Sequence, residues 1–170
     1  MFKNLGFTLV ELAVTMTILA ILACICLPYF NELLASAEVN KIKKTLTIYI
    51  QKAKSDALIH HTNVPVCGSE DLIHCHRDWN KEFIGFLDNN NNRQKDENET
   101  LLFNQGFNAK YGTLNWRGTL SVNSITFQGD TGLPRGSNGS FFYCMHSSAR
   151  HTKIILSNMG HVRIEEITSC

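Results

Sequence analysis

Residues 12–30 read LAVTMTILAILACICLPYF, an uncharged apolar run that decides how the whole chain is organised. As an α-helix, a run of this length is about sufficient to cross the ~30 Å hydrocarbon core of a membrane. Lys3 precedes the run and nearly all other charged residues follow it, so the positive-inside tendency places the N-terminus in the cytoplasm. We therefore expect a single-pass membrane protein with its membrane helix over residues 7–30 and the bulk of the chain outside.

A cleavable secretory signal is the alternative interpretation, because Ala35-Ser36-Ala37 imitates a small-residue cleavage site after an apolar region. Cleavage there would give a leader longer than the usual ~15 to 30 residues. It would also require Glu11 inside the apolar region and Glu32 just before the cleavage site. The product on this alternative would be a soluble, disulfide-bonded exported protein that begins at Glu38.

The composition is that of a folded protein, and it excludes several classes. With 170 residues, 44% hydrophobic and 18% charged, the chain suits one compact domain plus one further segment, and neither disorder nor a fibrous repeat is expected. A net charge of +1 excludes the uniform basicity of a histone-like protein. The sequence contains no G-x-S-x-G, H-E-x-x-H or phosphate-binding glycine loop, so we expect no enzyme, no catalytic residue and no cofactor.

Glu11 is the only charged residue between Lys3 and Glu32. An ionisable group at membrane depth costs roughly 2.5 kcal/mol or more and therefore marks a function by default. Cleavage between Gly6 and Phe7 would provide a cationic partner, because the new α-amino group would lie within two helical turns of Glu11. We expect that pair to form between neighbouring chains. The alternative is that the Glu11 side chain extends to the cytoplasmic interface.

Residues 6–12 read GFTLVEL and lead into the apolar run, and this motif closely resembles the class III leader of type IV pilins and type II secretion pseudopilins. The resemblance implies that a membrane-embedded prepilin peptidase cuts after Gly6 and methylates the amine of Phe7. Residues 1–6 are then a leader peptide. The resemblance also implies that Glu11 neutralises a Phe7 amine as subunits stack helix against helix in a filament.

The helical pattern continues over residues 31–62. Pro28 would remove a backbone hydrogen bond and locally kink or loosen the helix. Beyond Pro28, apolar residues recur at steps of three or four and form one stripe, whereas the lysines lie outside this stripe. The pattern predicts an amphipathic helix packed on a folded domain. The stripe comprises Val39, Ile42, Leu46, Tyr49, Ala53 and Ala57.

The periodicity of residues 63–170 changes to short strand-like runs separated by turn residues. These runs are Glu82–Leu87, Thr100–Phe103, Thr113–Trp116, Thr119–Val122, Ser124–Phe127, Ser140–Cys144, Lys153–Leu156 and His161–Ile167. We expect an antiparallel, loop-rich β domain fronted by the long helix, which is an α+β fold.

Four cysteines lie outside the membrane segment, an even number that indicates two disulfides in an exported domain. Three connectivities are possible in principle, and we expect Cys67 with Cys75 and Cys144 with Cys170. Each bond would contribute roughly 2.5 to 3.5 kcal/mol by the chain-entropy model.

A zinc site is the alternative use of Cys67, His74, Cys75 and His76. The separation of the two cysteines lacks the C-x₂₋₄-C spacing that structural zinc sites favour, so we expect no metal there.

The second half of the chain extends the resemblance. Cys67 to Cys75, then Trp79, then DNNNN at residues 88–92 are similar to the GspH/FimT branch of minor pilins and pseudopilins, and so is ITFQGDTGLPRGSNGSF at residues 125–141. The resemblance implies a pilin-like subunit of a type IV pilus or a type II secretion machine that serves assembly, initiation or tip display. Its partners would be other pilins or pseudopilins. It would lie in the bacterial inner membrane, with the C-terminal domain periplasmic or in an extracellular filament.

A calcium loop is a further hypothesis. Position 6 of the would-be loop is Arg93, where the EF-hand needs glycine, and the flanks are strand-like rather than helical. An Asx-rich hairpin loop explains the same residues. The residues at positions 1, 3, 5, 7, 9 and 12 are Asp88, Asn90, Asn92, Gln94, Asp96 and Glu99.

Charge is segregated along the chain, since residues 64–104 hold eight acidic and four basic residues, and residues 105–163 hold six basic and one acidic. Basic side chains can neutralise DNA phosphates, and exposed aromatic rings can stack on bases. The alternative is that the aromatic residues fill the core. The basic candidates are Lys110, Arg117, Arg135, Arg150, Lys153 and Arg163, and the aromatic ones are Trp116, Phe141, Phe142 and Tyr143.

DNA uptake is the alternative function that the resemblance implies. Minor pilins of the FimT type bind DNA for natural transformation through a C-terminal Gly-Arg-x-Arg motif. The matching positions are Gly160, His161, Val162 and Arg163, so histidine replaces the first arginine. Because histidine is mostly uncharged at neutral pH, this replacement weakens the electrostatic case for DNA.

Overall fold

The computed structural model describes residues 8–119, 123–146 and 150–170. Within those ranges one helix precedes eight strands, so the α+β class expected from the sequence is confirmed. The elements are α1 (Leu9–His60), β1 (Val64–Gly68), β2 (Glu82–Phe86), β3 (Leu101–Gly106), β4 (Gly112–Gly118), β5 (Ser124–Phe127), β6 (Gly139–Met145), β7 (His151–Leu156) and β8 (Val162–Ile167).

The chain divides into two compact units, Met1–Ala37 and Glu38–Cys170. The described part of the first unit consists of the N-terminal portion of α1, which is long and apolar enough to span a membrane by length and composition. Thr8 caps this helix, because its Oγ1 accepts a hydrogen bond from the N–H of Glu11 at 3.3 Å. Large apolar side chains are exposed all round it, including Leu12, Ile18 and Leu22.

In the second unit, α1 buries one apolar stripe, as an amphipathic helix should. Ile42, Leu46 and Ala53 all lie in the core, as expected. The expected stripe differs at one position: Ile50 is buried in the core, whereas Tyr49 is half-buried at its margin. The Tyr49 hydroxyl donates a hydrogen bond to Gln105 Oε1 at 2.9 Å, which keeps its polar end paired beside the core.

The strands form two antiparallel four-stranded sheets, with orders β3-β2-β1-β5 and β4-β6-β7-β8. Strand β1 lies inside the first sheet, where it pairs with both β2 and β5. The sequence did not predict it as a separate strand. All five of its residues, VPVCG, are buried, so it lacks the apolar and polar alternation by which a half-buried strand is recognised.

Most of the expected strands occur with boundaries shifted by a few residues. The run Ser124–Phe127 is observed without change as β5, whereas Thr113–Trp116 extends to become Gly112–Gly118. The expected strand Thr119–Val122 falls largely on residues 120–122, which lie outside the described residues.

The core is rich in aromatic rings from both sheets. Trp79 is fully buried, and its ring centroid lies 4.9 Å from that of Phe141 in β6 and 6.0 Å from that of Phe83 in β2. Phe141 and Tyr143 are buried as well. Filling of the core, given above as the alternative to stacking on nucleic-acid bases, therefore accounts for Phe141 and Tyr143.

Truncation within the helical stripe tests this packing. Leu46 is 1% exposed, and Leu46→Ala should lower the free energy of unfolding by about 2 to 5 kcal/mol, because it leaves a cavity in the core. Ile48 on the same helix is 62% exposed, and Ile48→Ala should change that free energy by no more than about 0.5 kcal/mol. Urea unfolding of the detergent-solubilised protein, followed by tryptophan fluorescence, measures both. Equal losses for the two variants would contradict the assigned stripe.

Candidate functional site

The expected processing site, Gly6 and Phe7, lies outside the described residues. Glu11 is exposed in the first turn of α1, where a carboxylate is favourable near the positive end of the helix dipole. Among the described residues, no cationic group lies within ion-pair distance of its carboxylate. Within the part of the chain that the structure describes, the Glu11 carboxylate is therefore unpaired.

Disulfide bonds join Cys67 to Cys75 and Cys144 to Cys170, which are the two pairings expected from the sequence. The first closes a short loop after β1, and the second ties residue 170 to β6. Because Cys67 and Cys75 are bonded to each other, neither offers the thiolate that the zinc alternative requires. His74 Nδ1 lies 2.6 Å from Asp71 Oδ2.

In the segment 88–99, the carboxylates of the calcium hypothesis accept hydrogen bonds from the backbone. Asp88 is 1% exposed, and its two oxygens accept the N–H groups of Asn92 at 3.1 Å and Arg93 at 3.0 Å. Glu99 accepts the N–H of Asn89 at 2.8 Å. Burial raises the pKa of Asp88 above its ordinary value. This is the Asx-rich loop of the alternative interpretation.

Arg93 adopts a φ of +61°, the left-handed conformation that glycine favours. Asn91, two residues earlier, adopts +62°. Arg93 thus adopts, without being glycine, the conformation for which the EF-hand uses glycine at position 6. The hydrogen bond from its N–H to Asp88 helps to hold Arg93 in that conformation.

Three of the six basic candidates come together on one sheet surface. Phe141 and Tyr143 point into the core, so Phe142 between them points to the opposite surface, where it pairs with Asn115 and with Lys153. Lys153 in turn pairs with Glu165. Residues two positions apart in a strand point to the same surface of the sheet. Arg117 therefore lies on the same surface as Asn115, and Arg163 on the same surface as Glu165. We call Arg117, Phe142, Lys153, Arg163 and Glu165 the basic face.

Phe142 lies between two cations on the basic face. The Arg117 guanidinium carbon is 4.4 Å from the centroid of the Phe142 ring, and Lys153 Nζ is 5.6 Å from it. Both distances are those of cation–π contacts. Arg163 Nε is 3.4 Å from Glu165 Oε1. The face is therefore basic but contains one carboxylate.

The other three basic candidates lie elsewhere. Lys110 is on the connection before β4, Arg135 is on the connection between β5 and β6, and Arg150 directly precedes β7. Trp116 is half-buried against Phe141, with ring centroids 4.5 Å apart. The Gly160 position of the partial DNA motif adopts a φ of +72° in the turn between β7 and β8, and both His161 and Arg163 are exposed.

Sequence reasoning missed Glu38, which links α1 to the sheet β4-β6-β7-β8. Its Oε2 accepts the N–H of Lys110 at 2.9 Å, and its Oε1 accepts the N–H of Tyr111 at 3.0 Å and the hydroxyl of Tyr143. Burial, together with the nearby Glu38 carboxylate, raises the pKa of the Tyr143 hydroxyl. In the sequence, Glu38 is one polar residue beside an apolar stripe, and nothing there identifies its partners.

Comparisons with known proteins agree with this architecture. A family model described as "Type II transport protein GspH" matches residues 44–160, and a model described as "Prokaryotic N-terminal methylation motif" matches residues 1–24. Fimbrial protein EcpB of Eikenella corrodens is 33% identical over 92 residues, which are 54% of this chain and 56% of that protein. The match thus spans about half the length of that relative.

Two crystal structures of the type IV minor pilin FimU from Pseudomonas aeruginosa share the fold. One superposes with a TM-score of 0.57 at 18% identity and covers 78% of this chain and 95% of FimU. The other crystal form gives a TM-score of 0.54 at 17% identity and covers 77% and 98%. The long N-terminal helix with antiparallel sheets is therefore the pilin fold expected from the sequence.

Replacement of Glu38 tests its role in joining α1 to the sheet. Glu38→Gln leaves an amide nitrogen where an acceptor is needed, so we expect a loss of about 1 to 3 kcal/mol in the free energy of unfolding. The exposed Glu32 serves as the matched control, and Glu32→Gln should change that free energy by no more than about 0.5 kcal/mol. Urea unfolding in detergent measures both variants. An unchanged midpoint for Glu38→Gln would contradict this role.

Proposed function

Because the chain belongs to the GspH family of type II transport proteins and carries the prokaryotic N-terminal methylation motif, we propose that it is a minor pilin or pseudopilin subunit of a filament. The filament is a type IV pilus or a type II secretion pseudopilus. The FimU-like fold and the similarity to a fimbrial protein support the pilus-subunit role. The role is structural rather than catalytic, in keeping with the generally non-enzymatic proteins of this family.

Maturation by a prepilin peptidase is part of the proposal. The peptidase removes residues 1–6 by cutting after Gly6, and the amine of Phe7 is then methylated. The methylation motif over residues 1–24 supports this step. Before assembly, the apolar portion of α1 anchors the subunit in the inner membrane, and the disulfide-bonded domain lies on the periplasmic side, where disulfides persist.

Assembly depends on the neutralisation of Glu11. The Glu11 carboxylate is exposed, and large apolar side chains surround it on α1. When the helix leaves the lipid, its apolar side chains need another apolar environment and Glu11 needs a positive partner. The N-terminal amine of Phe7 on a neighbouring subunit supplies that charge, while neighbouring helices cover the apolar side chains. The single observation that carries the proposal is the exposed carboxylate of Glu11 within an apolar helical segment. The globular domain then serves assembly, initiation or display at the filament tip.

A Glu11 variant tests the assembly step. We expect Glu11→Ala to be processed and membrane-inserted normally but to be lost from the filament by at least about tenfold, because the interhelical ion pair is missing. Glu32→Ala, which removes an acidic residue at the other end of the apolar run, is the matched control and should assemble normally. Immunoblotting of sheared filaments and of membranes measures both pools. Filament incorporation of Glu11→Ala at the parent level would contradict the proposal.

Mass spectrometry of the mature N-terminus separates this proposal from the soluble-export alternative. A methylated Phe7 is expected, and a free Glu38 at the N-terminus would establish cleavage after Ala37 instead.

DNA uptake is a second candidate function, favoured by one observation. The basic face places Arg117, Lys153 and Arg163 on one surface, although they are far apart in sequence. Three cations on a surface can neutralise phosphates of the DNA backbone. Glu165 on the same face opposes this attraction, and the half-exposed Phe142 is held between Arg117 and Lys153.

Binding of duplex DNA tests the second candidate. If the basic face binds DNA, Arg117→Ala combined with Lys153→Ala should reduce the slope of log affinity against log salt by about 2, because each phosphate contact contributes ~0.9. Lys110→Ala removes an exposed cation away from the face and should lower the slope by less. Fluorescence anisotropy at several salt concentrations measures the slope. A parent protein without salt-dependent affinity would exclude this function.

A further inference from the structure

A polar cleft lies beside the C-terminal end of α1, where residues 61–63, 88–91 and 126–130 meet. Its larger part has a volume of about 400 Å³, and a smaller part of about 100 Å³ adjoins it. The larger part is open to solvent, and its lining is polar, whereas most small-molecule sites are lined mainly by apolar side chains. The residues common to both parts are Asn63, Asp88, Asn91 and Gln128.

Asn63 holds the walls of the cleft together. Its backbone carbonyl accepts the N–H of Asp88 at 2.9 Å, and its Oδ1 accepts the N–H of Gly129 at 3.0 Å. Its Nδ2 donates to Asn91 Oδ1. Gly129 permits the close approach of two walls, because a Cβ there would lie 2.5 Å from the backbone nitrogen of Thr62. The walls of the cleft are thus held in place without a ligand, which lowers the entropic cost of binding one.

The chemistry of the lining selects a ligand with many hydroxyl groups. Four carboxamides line the cleft, and those of Asn63 and Asn91 are partly used in the wall itself. Among the described residues the carboxamides of Asn89 and Gln128 have no hydrogen-bond partner, so each presents one acceptor and two donors, as a hydroxyl group both accepts and donates. Among the described residues that line it, no side chain is apolar. From these features we propose that the polar cleft binds a saccharide. The four carboxamides belong to Asn63, Asn89, Asn91 and Gln128.

The charges of the lining disfavour ions as ligands. Asp88 and Asp130 carry negative charge, and Arg93 and Arg135 carry positive charge. The arginines repel a cation at Asp88, while the carboxylates repel a phosphate at the arginines. A lipid or an apolar peptide side chain would find no apolar surface in this lining. A neutral, polyhydroxylated molecule meets none of these penalties.

Thr126 offers a further reason for a hydroxyl ligand. It lines the smaller part of the cleft, is only 6% exposed, and its Oγ1 has no hydrogen-bond partner among the described residues. A buried hydroxyl without a partner is unfavourable, and most such groups in proteins are paired. The Oγ1 has almost no accessible surface, so a sugar hydroxyl that enters the smaller part would pair with it only after a local displacement of the wall. In the same wall, burial raises the pKa of Asp88, whose two oxygens already accept the N–H groups of Asn92 and Arg93.

Saturation-transfer NMR on the full chain tests the inference, in a detergent that has no sugar head group. Tetra-N-acetylglucosamine represents cell-wall glycans, and disaccharides of mannose and of galactose represent surface glycans. We expect transfer to at least one of these probes, and the responding probe identifies the source of the glycan. The test does not depend on filament assembly, because the cleft lies within the unit Glu38–Cys170.

Variants locate the binding. Gln128→Ala and Asp130→Ala should each weaken binding of the responding probe by about tenfold, since each removes hydrogen bonds to the ligand. Gln51→Ala removes an exposed carboxamide from α1, outside the cleft, and should leave binding unchanged. Circular dichroism checks that each variant is folded.

Three results would overturn the inference. The first is the absence of transfer to all three probes, and the second is equal binding by the parent and both cleft variants. The third is calorimetric binding of CaCl₂ or sodium phosphate that Asp130→Ala abolishes, without binding of any sugar.

Discussion

The two parts of α1 face different surroundings, and the rest of the structure follows from this constraint. Between Leu9 and Phe30, large apolar side chains point in every direction, and a single carboxylate, Glu11, interrupts them. From Glu38 onward, most apolar residues of α1 occupy one buried stripe, whereas Ile48, Leu58 and Ile59 are exposed. An all-round apolar surface is stable only in lipid or among other helices, whereas a stripe requires a folded domain beside it. The first part therefore requires lipid or neighbouring helices, and the second part organises the domain.

Much of this organisation could be predicted from sequence because it depends on local patterns. The apolar run, the leader motif, the spacing of the stripe and most strands are each visible within a short window of residues. Strand β1 was missed for the same reason, since five buried residues that include Pro65 show no alternation. Ile50 rather than the expected Tyr49 lies in the core. The spacing of apolar residues therefore predicts which side of a helix is packed more reliably than it predicts each buried residue.

Apart from the disulfide between Cys144 and Cys170, features that join distant segments could not be predicted. The basic face unites Arg117, Lys153 and Arg163 only because the registers of β4 with β6, β6 with β7 and β7 with β8 place them on one surface. A count of charges along the chain grouped these residues with Lys110, Arg135 and Arg150, which lie elsewhere. The contacts of Glu38 with residues 110, 111 and 143 also depend on tertiary structure alone.

The hydrogen bonds of Glu38 have a mechanical consequence. Tyr143 belongs to β6, an interior strand of its sheet, and Lys110 and Tyr111 precede the edge strand β4 of that sheet. Tension along α1 from residue 38 onward would therefore reach the sheet through these hydrogen bonds as well as through the buried stripe. The helix and the sheet would separate only where both the hydrogen bonds and the apolar packing are broken.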